Sequence, residues 1–187
     1  AEQCGDTFRE AGLLVNLGLL YMVRGQFAES MRYSRAAIHL ARRTGNVLAI
    51  AISEGNLGNL YYEMGDLAEA RTLLTRALAH CDEGEPFAAG AFRGSLALIS
   101  AEEGDFDAAA SLFDAAEAQL RTTHLGEYGQ MICKKGLVAL LANRPLDAQA
   151  HLNAAQRIAL DSGAGEQSEL GYAIAQLEAK LLEAGFH

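Results

Sequence analysis

The segment Gly55–Ala70 reads GNLGNLYYEMGDLAEA. Its Leu, Met, Glu and Ala content favours a helix, yet it carries three glycines, and a glycine in a helix interior is about 1 kcal/mol less favourable than alanine. Gly55, Gly58 and Gly65 therefore each need a physical reason. The segment also has counterparts. NLGLLYMVRGQFAES (Asn16–Ser30) matches it one period earlier, and SLALISAEEGDFDAA (Ser95–Ala109) matches it one period later. A fourth, weaker copy, KKGLVALLANRPLDA (Lys134–Ala148), follows after a further period.

The same positions recur in each copy. A small residue falls at Gly18, Gly58, Ala97 and Gly136, and a break falls at Gly25, Gly65, Gly104 and Asn143. After the break, Ser30, Ala70, Ala109 and Ala148 are followed seven residues later by Ala37, Ala77, Ala116 and Ala155. The pattern predicts a helix ended by a left-handed residue, a tight turn, and a second helix. Small residues at fixed positions let the two helices approach closely. Gly58 is thus a close-packing position and Gly65 a terminator, and Pro145 suits the first turn of its helix.

Polar, Gly-containing linkers join the hairpins. At the start, Thr7, Phe8, Arg9 and Glu10 read as a capping box. At the end, SELGYAIAQLEAKLLEAG aligns Leu170, Ile174, Leu177 and Leu181 on one stripe, with Glu169, Gln176, Glu178 and Glu183 opposite. Such a helix covers the end of a repeat stack. The expected organisation is a single domain over residues 1–187, with repeats at 7–44, 46–82, 85–122 and 124–161 and a capping helix at 166–184.

The composition excludes several functions. The chain is 50% hydrophobic with 7% aromatic residues and no Trp, and β-branched residues are sparse, which favours helices over a large sheet. The net charge of −9 argues against a phosphate backbone as ligand. Most of the acidity lies in the middle: residues 44–120 hold thirteen acids and three Arg. Three cysteines without CxxC pairing read as reduced thiols in a cytoplasmic protein. The five His are scattered without metal-ligand spacing, and no phosphate loop or nucleophile elbow is present. No cofactor, metal or catalytic residue is expected. No apolar run reaches the ~18 residues of a membrane span. The chain begins with Ala rather than Met, which reads as a piece of a longer protein.

LGNLYYEMGDLAEA resembles the tetratricopeptide repeat (TPR), whose grammar is a small residue at position eight, an aromatic at eleven, and two alanines seven apart in the second helix. The period of 39–40 rather than 34 resembles the long-helix variety found in kinesin light chains, Leu-Gly-Asn-type scaffolds and bacterial regulatory arrays. Tyr21 and Tyr61 fill the aromatic position, whereas Ser100 and Ala139 depart from it. The resemblance implies an all-α fold, a right-handed α-solenoid of four hairpins plus the capping helix. It also implies that the first helix of each pair lines a concave groove. Carried over position by position, the peptide-binding groove would hold Asn16, Leu19, Asn56, Asn59, Tyr62, Glu63, Glu102, Gln130 and Lys134. Gly55 and Gly94 would form a shallow floor, with Leu98, Ala101 and Cys133 also on this surface. The Lys and Arg of a carboxylate clamp are missing, since Val15, Leu19, Gly94 and Leu98 occupy those positions.

The expected function is a non-enzymatic protein-protein interaction module, part of a larger bacterial regulatory protein, binding a peptide or helix. Asn side chains donate to and accept from a peptide backbone, and Glu63 and Glu102 favour basic residues in the partner. Two alternatives remain open at this point: a homo-oligomerisation scaffold using the N-terminal end, and an enzyme domain with a site on a helical hairpin.

Overall fold

The computed structural model describes residues 2–81, 85–121 and 124–186, with side chains from residue 9 onward. Among them are nine α-helices and no strand: α1 (Glu2–Val23), α2 (Phe27–Thr44), α3 (Val47–Glu63), α4 (Leu67–Cys81), α5 (Pro86–Glu102), α6 (Phe106–Leu120), α7 (Leu125–Leu141), α8 (Pro145–Ser162) and α9 (Glu169–Glu183). The first eight helices follow one another in four pairs, and α9 comes after them. The expected repeat ends at 82 and 122 lie outside the described residues. One boundary differs. Helix α1 begins at Glu2, so the Thr7–Glu10 segment lies within it and does not start it.

The breaks fall between helices, as the repeat requires. Gly25, Gly65, Gly104 and Asn143 all have positive φ. At Gly65 (φ 81°) the glycine N–H donates to the Tyr62 carbonyl and the Asp66 N–H to the Tyr61 carbonyl, both at 2.9 Å. These two bonds satisfy carbonyls left open at the end of α3. The following Asp restarts the chain. Asp66 Oδ1 accepts from the Glu69 N–H at 3.1 Å, and Asp105 Oδ1 accepts from the Ala108 N–H at 2.9 Å. The "GD" pair is therefore a terminator and an N-cap in consecutive residues.

The chain divides into two compact units, Ala1–Phe92 and Arg93–His187, with the division inside α5. In the first unit, Ile38, Leu57, Leu60 and Leu73 form a core against which Met22, Phe27, Met31 and Tyr61 pack. The small positions work as close contacts. A Cβ on Gly58 would lie 2.8 Å from Leu74 Cγ and 3.2 Å from the Ala70 carbonyl oxygen. In the first hairpin, where Ser30 replaces alanine, its hydroxyl donates to the Gly18 carbonyl at 2.8 Å. The Tyr21 and Tyr33 rings stack at 5.2 Å.

In the second unit, α9 packs Leu170, Leu177 and Leu181 inward, and Ile174 is half-buried. Leu170 sits over Gly129 and Leu177 over Gly136, where a Cβ would approach to 2.8 and 2.5 Å. The expected polar face of α9 is not wholly outward. Glu178 is half-buried and accepts a hydrogen bond from Gln156 Nε2 at 2.7 Å, because α8 packs beside it.

Candidate functional site

In the first unit, Asn16 is exposed on α1 and Leu19 is half-buried. Asn56, Asn59 and Tyr62 are half-buried along α3, and Glu63 is exposed at its end. Asn56 and Asn59 lie about one helical turn apart on adjoining surface. No side-chain hydrogen bond joins either amide to another described residue. Gly55 does not form an open floor. It is buried beneath the Phe92 ring, and a Cβ there would lie 2.0 Å from Phe92 Cε1. The glycine is a socket for the next repeat.

In the second unit, Glu102 is exposed at the end of α5, and Gln130 and Lys134 are half-buried on α7. Lys134 Nζ donates to Ser95 Oγ at 2.7 Å, and Gln130 Nε2 donates to Glu169 Oε2 at 3.4 Å. The members of each pair stand one repeat apart in the chain, so equivalent positions on successive first helices meet. The Lys180 ammonium on α9 is held above its ordinary value chiefly by its bond to Glu183, with a smaller contribution from Glu102. Gly94, Leu98, Ala101 and Cys133 do not share this accessible surface, because all four are buried. Gly94 has Met131 and Lys134 side-chain carbons 3.6 Å from where its Cβ would lie. Burial pushes the Cys133 thiol up to about 12, which keeps it protonated and unreactive at neutral pH.

Beside this surface, Lys135 Nζ donates to Glu117 Oε2 at 2.7 Å and Tyr128 Oη to Glu117 Oε1 at 3.0 Å. The Lys135 bond, assisted by Tyr128 and opposed by burial, holds the Glu117 carboxyl below its ordinary value. A carboxyl with a depressed folded pKa contributes stability above its unfolded pKa, and this is lost as pH falls through the folded value. Lys135→Met should therefore shrink the drop in thermal midpoint between about pH 5.5 and about pH 3. An unchanged drop would show that Lys135 does not set the acid response.

Sequence reasoning missed Glu54. This fully buried carboxylate on α3 accepts hydrogen bonds at Oε1 from Arg42 on α2, at 2.9 Å, and from Arg76 on α4. Its Oε2 is buried without a hydrogen-bond partner. The available signal was that Glu54 is the single charge between Arg43 and Glu63. Among the described residues, no group of three or more His, Cys, Asp or Glu side chains could hold a metal ion, and no helix is long and apolar enough to cross a membrane.

The family profile described as "MalT-like TPR region" matches residues 1–183. The chain belongs to this family. The MalT-like TPR assignment agrees with the fold. The crystal structure of BtubC (BKLC) from P. vanneervenii superposes with a TM-score of 0.61 at 17% identity, covering 84% of this chain and 66% of that one. At that identity the likeness concerns the fold, and the chain spans just under two thirds of BtubC's length. No functionally curated protein matches the sequence. TPR-type repeats are generally protein-interaction scaffolds, and families of this type are generally non-catalytic.

Proposed function

We propose that this MalT-like TPR region is a non-enzymatic module that binds an extended or helical segment of a protein partner along its odd-numbered helices, as one cytoplasmic domain of a larger regulatory protein. The observation that carries this reading is the pair Asn56 and Asn59, partly accessible amides that no described residue engages. Each amide offers donors and an acceptor that match a peptide backbone. Tyr62 and the exposed Glu63 lie within the next turn. Glu63 and Glu102 occupy equivalent positions of successive repeats and favour basic side chains in the partner. Exposed ion pairs contribute only ~0–1 kcal/mol each, so these acids set preference and association rate more than affinity.

The test is retention of a peptide library on the immobilised chain at low and moderate salt. Basic peptides should be retained over acidic ones, and Glu63→Gln/Glu102→Gln should lose that preference. Asn56→Ala/Asn59→Ala should weaken retention of all peptides alike. Equal retention of basic and acidic peptides by the wild type, or Asn variants that bind as well as it does, would remove the reading.

A further inference from the structure

Each hairpin turns one face of its second helix to solvent. Arg35 on α2 is equivalent to Thr75 on α4, Asp114 on α6 and Asn153 on α8, and His39 is equivalent to Ala79, Ala118 and Arg157. All eight are exposed. No neighbouring hairpin covers these positions in any of the four repeats, so the open face of α2 belongs to the repeat itself and not to its place in the chain. What changes along the chain is the charge. Helix α2 carries four arginines and one glutamate, and α4 two arginines and one glutamate. Helix α6 carries three acids and no Lys or Arg, and α8 one arginine and two acids.

On α2 the arginines form a row. Arg32, Arg35, His39 and Arg42 follow one another at spacings of three, four and three, which sets them along one side of the helix, and Arg43 flanks them. All five are exposed. The row is only partly neutralised. Arg32 is held by Glu29 at 2.8 Å, and Arg42 shares the single buried carboxylate of Glu54 with Arg76. Arg35 donates to the neutral Tyr61 hydroxyl at 3.3 Å. Neither Arg35 nor Arg43 has a carboxylate partner among the described residues. Five arginines thus meet two carboxylates, a local excess of positive charge on a chain whose net charge is −9.

We propose that this face of α2 docks an acidic helical segment of a protein partner. Carboxylates at the same three-four spacing rise along the partner's helix at the same rate, so a row of them meets Arg35, Arg42 and Arg43 over about 15 Å at 1.5 Å per residue. Guanidinium groups suit this role because they bond carboxylates with two parallel N–H groups. A phosphate backbone is the poorer occupant. Its binding grows with the number of cations it meets, and Glu29 and Glu54 already neutralise part of this row. Exposed ion pairs are individually weak and screened by salt, so the contact is reversible and salt-sensitive. It uses none of Asn56, Asn59 and Glu63 on α3 and stands independently of peptide binding there. It gives the module a second partner, opposite in charge to the first.

The probe is a fluorescein-labelled, alanine-based peptide of about 20 residues, long enough to be helical, with its glutamates in one three-four row. The comparison probes are the same composition with the glutamates scattered around the helix, a lysine version, and a short DNA duplex. Binding is read by anisotropy at about 20 mM and about 150 mM salt. The row peptide should bind more tightly than the scattered and lysine peptides, and added salt should weaken it. Arg35→Glu/Arg43→Glu should lose about tenfold or more at low salt, and Arg35→Gln/Arg43→Gln should lose part of that, both with unchanged helical circular dichroism. Arg121→Glu/Arg157→Glu, which makes the same change in net charge on α6 and α8, should lose less than about threefold. Glu63→Gln/Glu102→Gln should not weaken the row peptide at all, which separates this surface from the one that takes basic peptides. Equal binding of the row and scattered peptides, α2 variants that bind as the wild type does, or an equal loss in the α6 and α8 variant overturns the proposal. DNA that binds more tightly than the row peptide and is lost in the same α2 variants also overturns it, and assigns the face to nucleic acid.

Discussion

Replacing both Arg42 and Arg76 with alanine should destabilise the first unit by about 3–5 kcal/mol, the loss typical of a buried charge stripped of its partner. Glu54 is 1% exposed, whereas the side chains of Arg42 and Arg76 are 56% and 49% exposed. That asymmetry decides which partner matters. Without the arginines, a carboxylate enclosed between α2, α3 and α4 has no compensating charge. Without the carboxylate, both guanidinium groups still reach water. Glu54→Met should therefore cost only about 1–2 kcal/mol, because the lost charge-assisted bonds are partly offset by removal of the desolvation penalty. Adding Glu54→Met to the double arginine variant should recover most of its loss. For a chain of this length the double variant should melt roughly 10 °C lower, at about 2–4 °C per kcal/mol. The idea fails if Glu54→Met is as damaging as the arginine pair, or if the triple variant is no better than the double.

The second large effect concerns the socket at Gly55. Phe92→Ala should cost about 3–5 kcal/mol, the range for deleting a buried aromatic. Gly55→Ala should also destabilise, although alanine is the better helix former by about 1 kcal/mol. The new Cβ would lie within 3 Å of three Phe92 ring atoms, and overpacking of that kind costs about 1–3 kcal/mol. The ring is buried and cannot simply swing into solvent. Combining Gly55→Leu with Phe92→Ala places the missing volume on the opposite helix. The double variant should be more stable than the two single losses predict, with a coupling of about 0.5–3 kcal/mol. Additive losses in urea titrations would show that Gly55 and Phe92 do not share one contact.

The repeat itself was legible in the sequence. Breaks at Gly25, Gly65, Gly104 and Asn143 demand a backbone conformation that few residues adopt readily, and the small positions Gly58, Ala70 and Ala77 demand close contact. Both constraints act within one hairpin, between helices that follow each other directly in the chain. They therefore leave a local signature, which four copies in register reinforce. The inward stripe of α9 was legible for the same reason, since a helix carries its buried face in its own periodicity.

What lay between repeats was not legible. Gly55 and Gly94 look identical to an open floor until Phe92 and Met131, from the next hairpin, are set against them. Leu98, Ala101 and Cys133 occupy positions that would face a groove in the family pattern, yet all three are buried. Glu54 stands alone in an uncharged stretch, and its partners come from helices before and after its own. A residue's own helix determines which way it faces. What meets it there depends on contacts between segments a whole repeat apart in the chain, which tertiary packing alone decides.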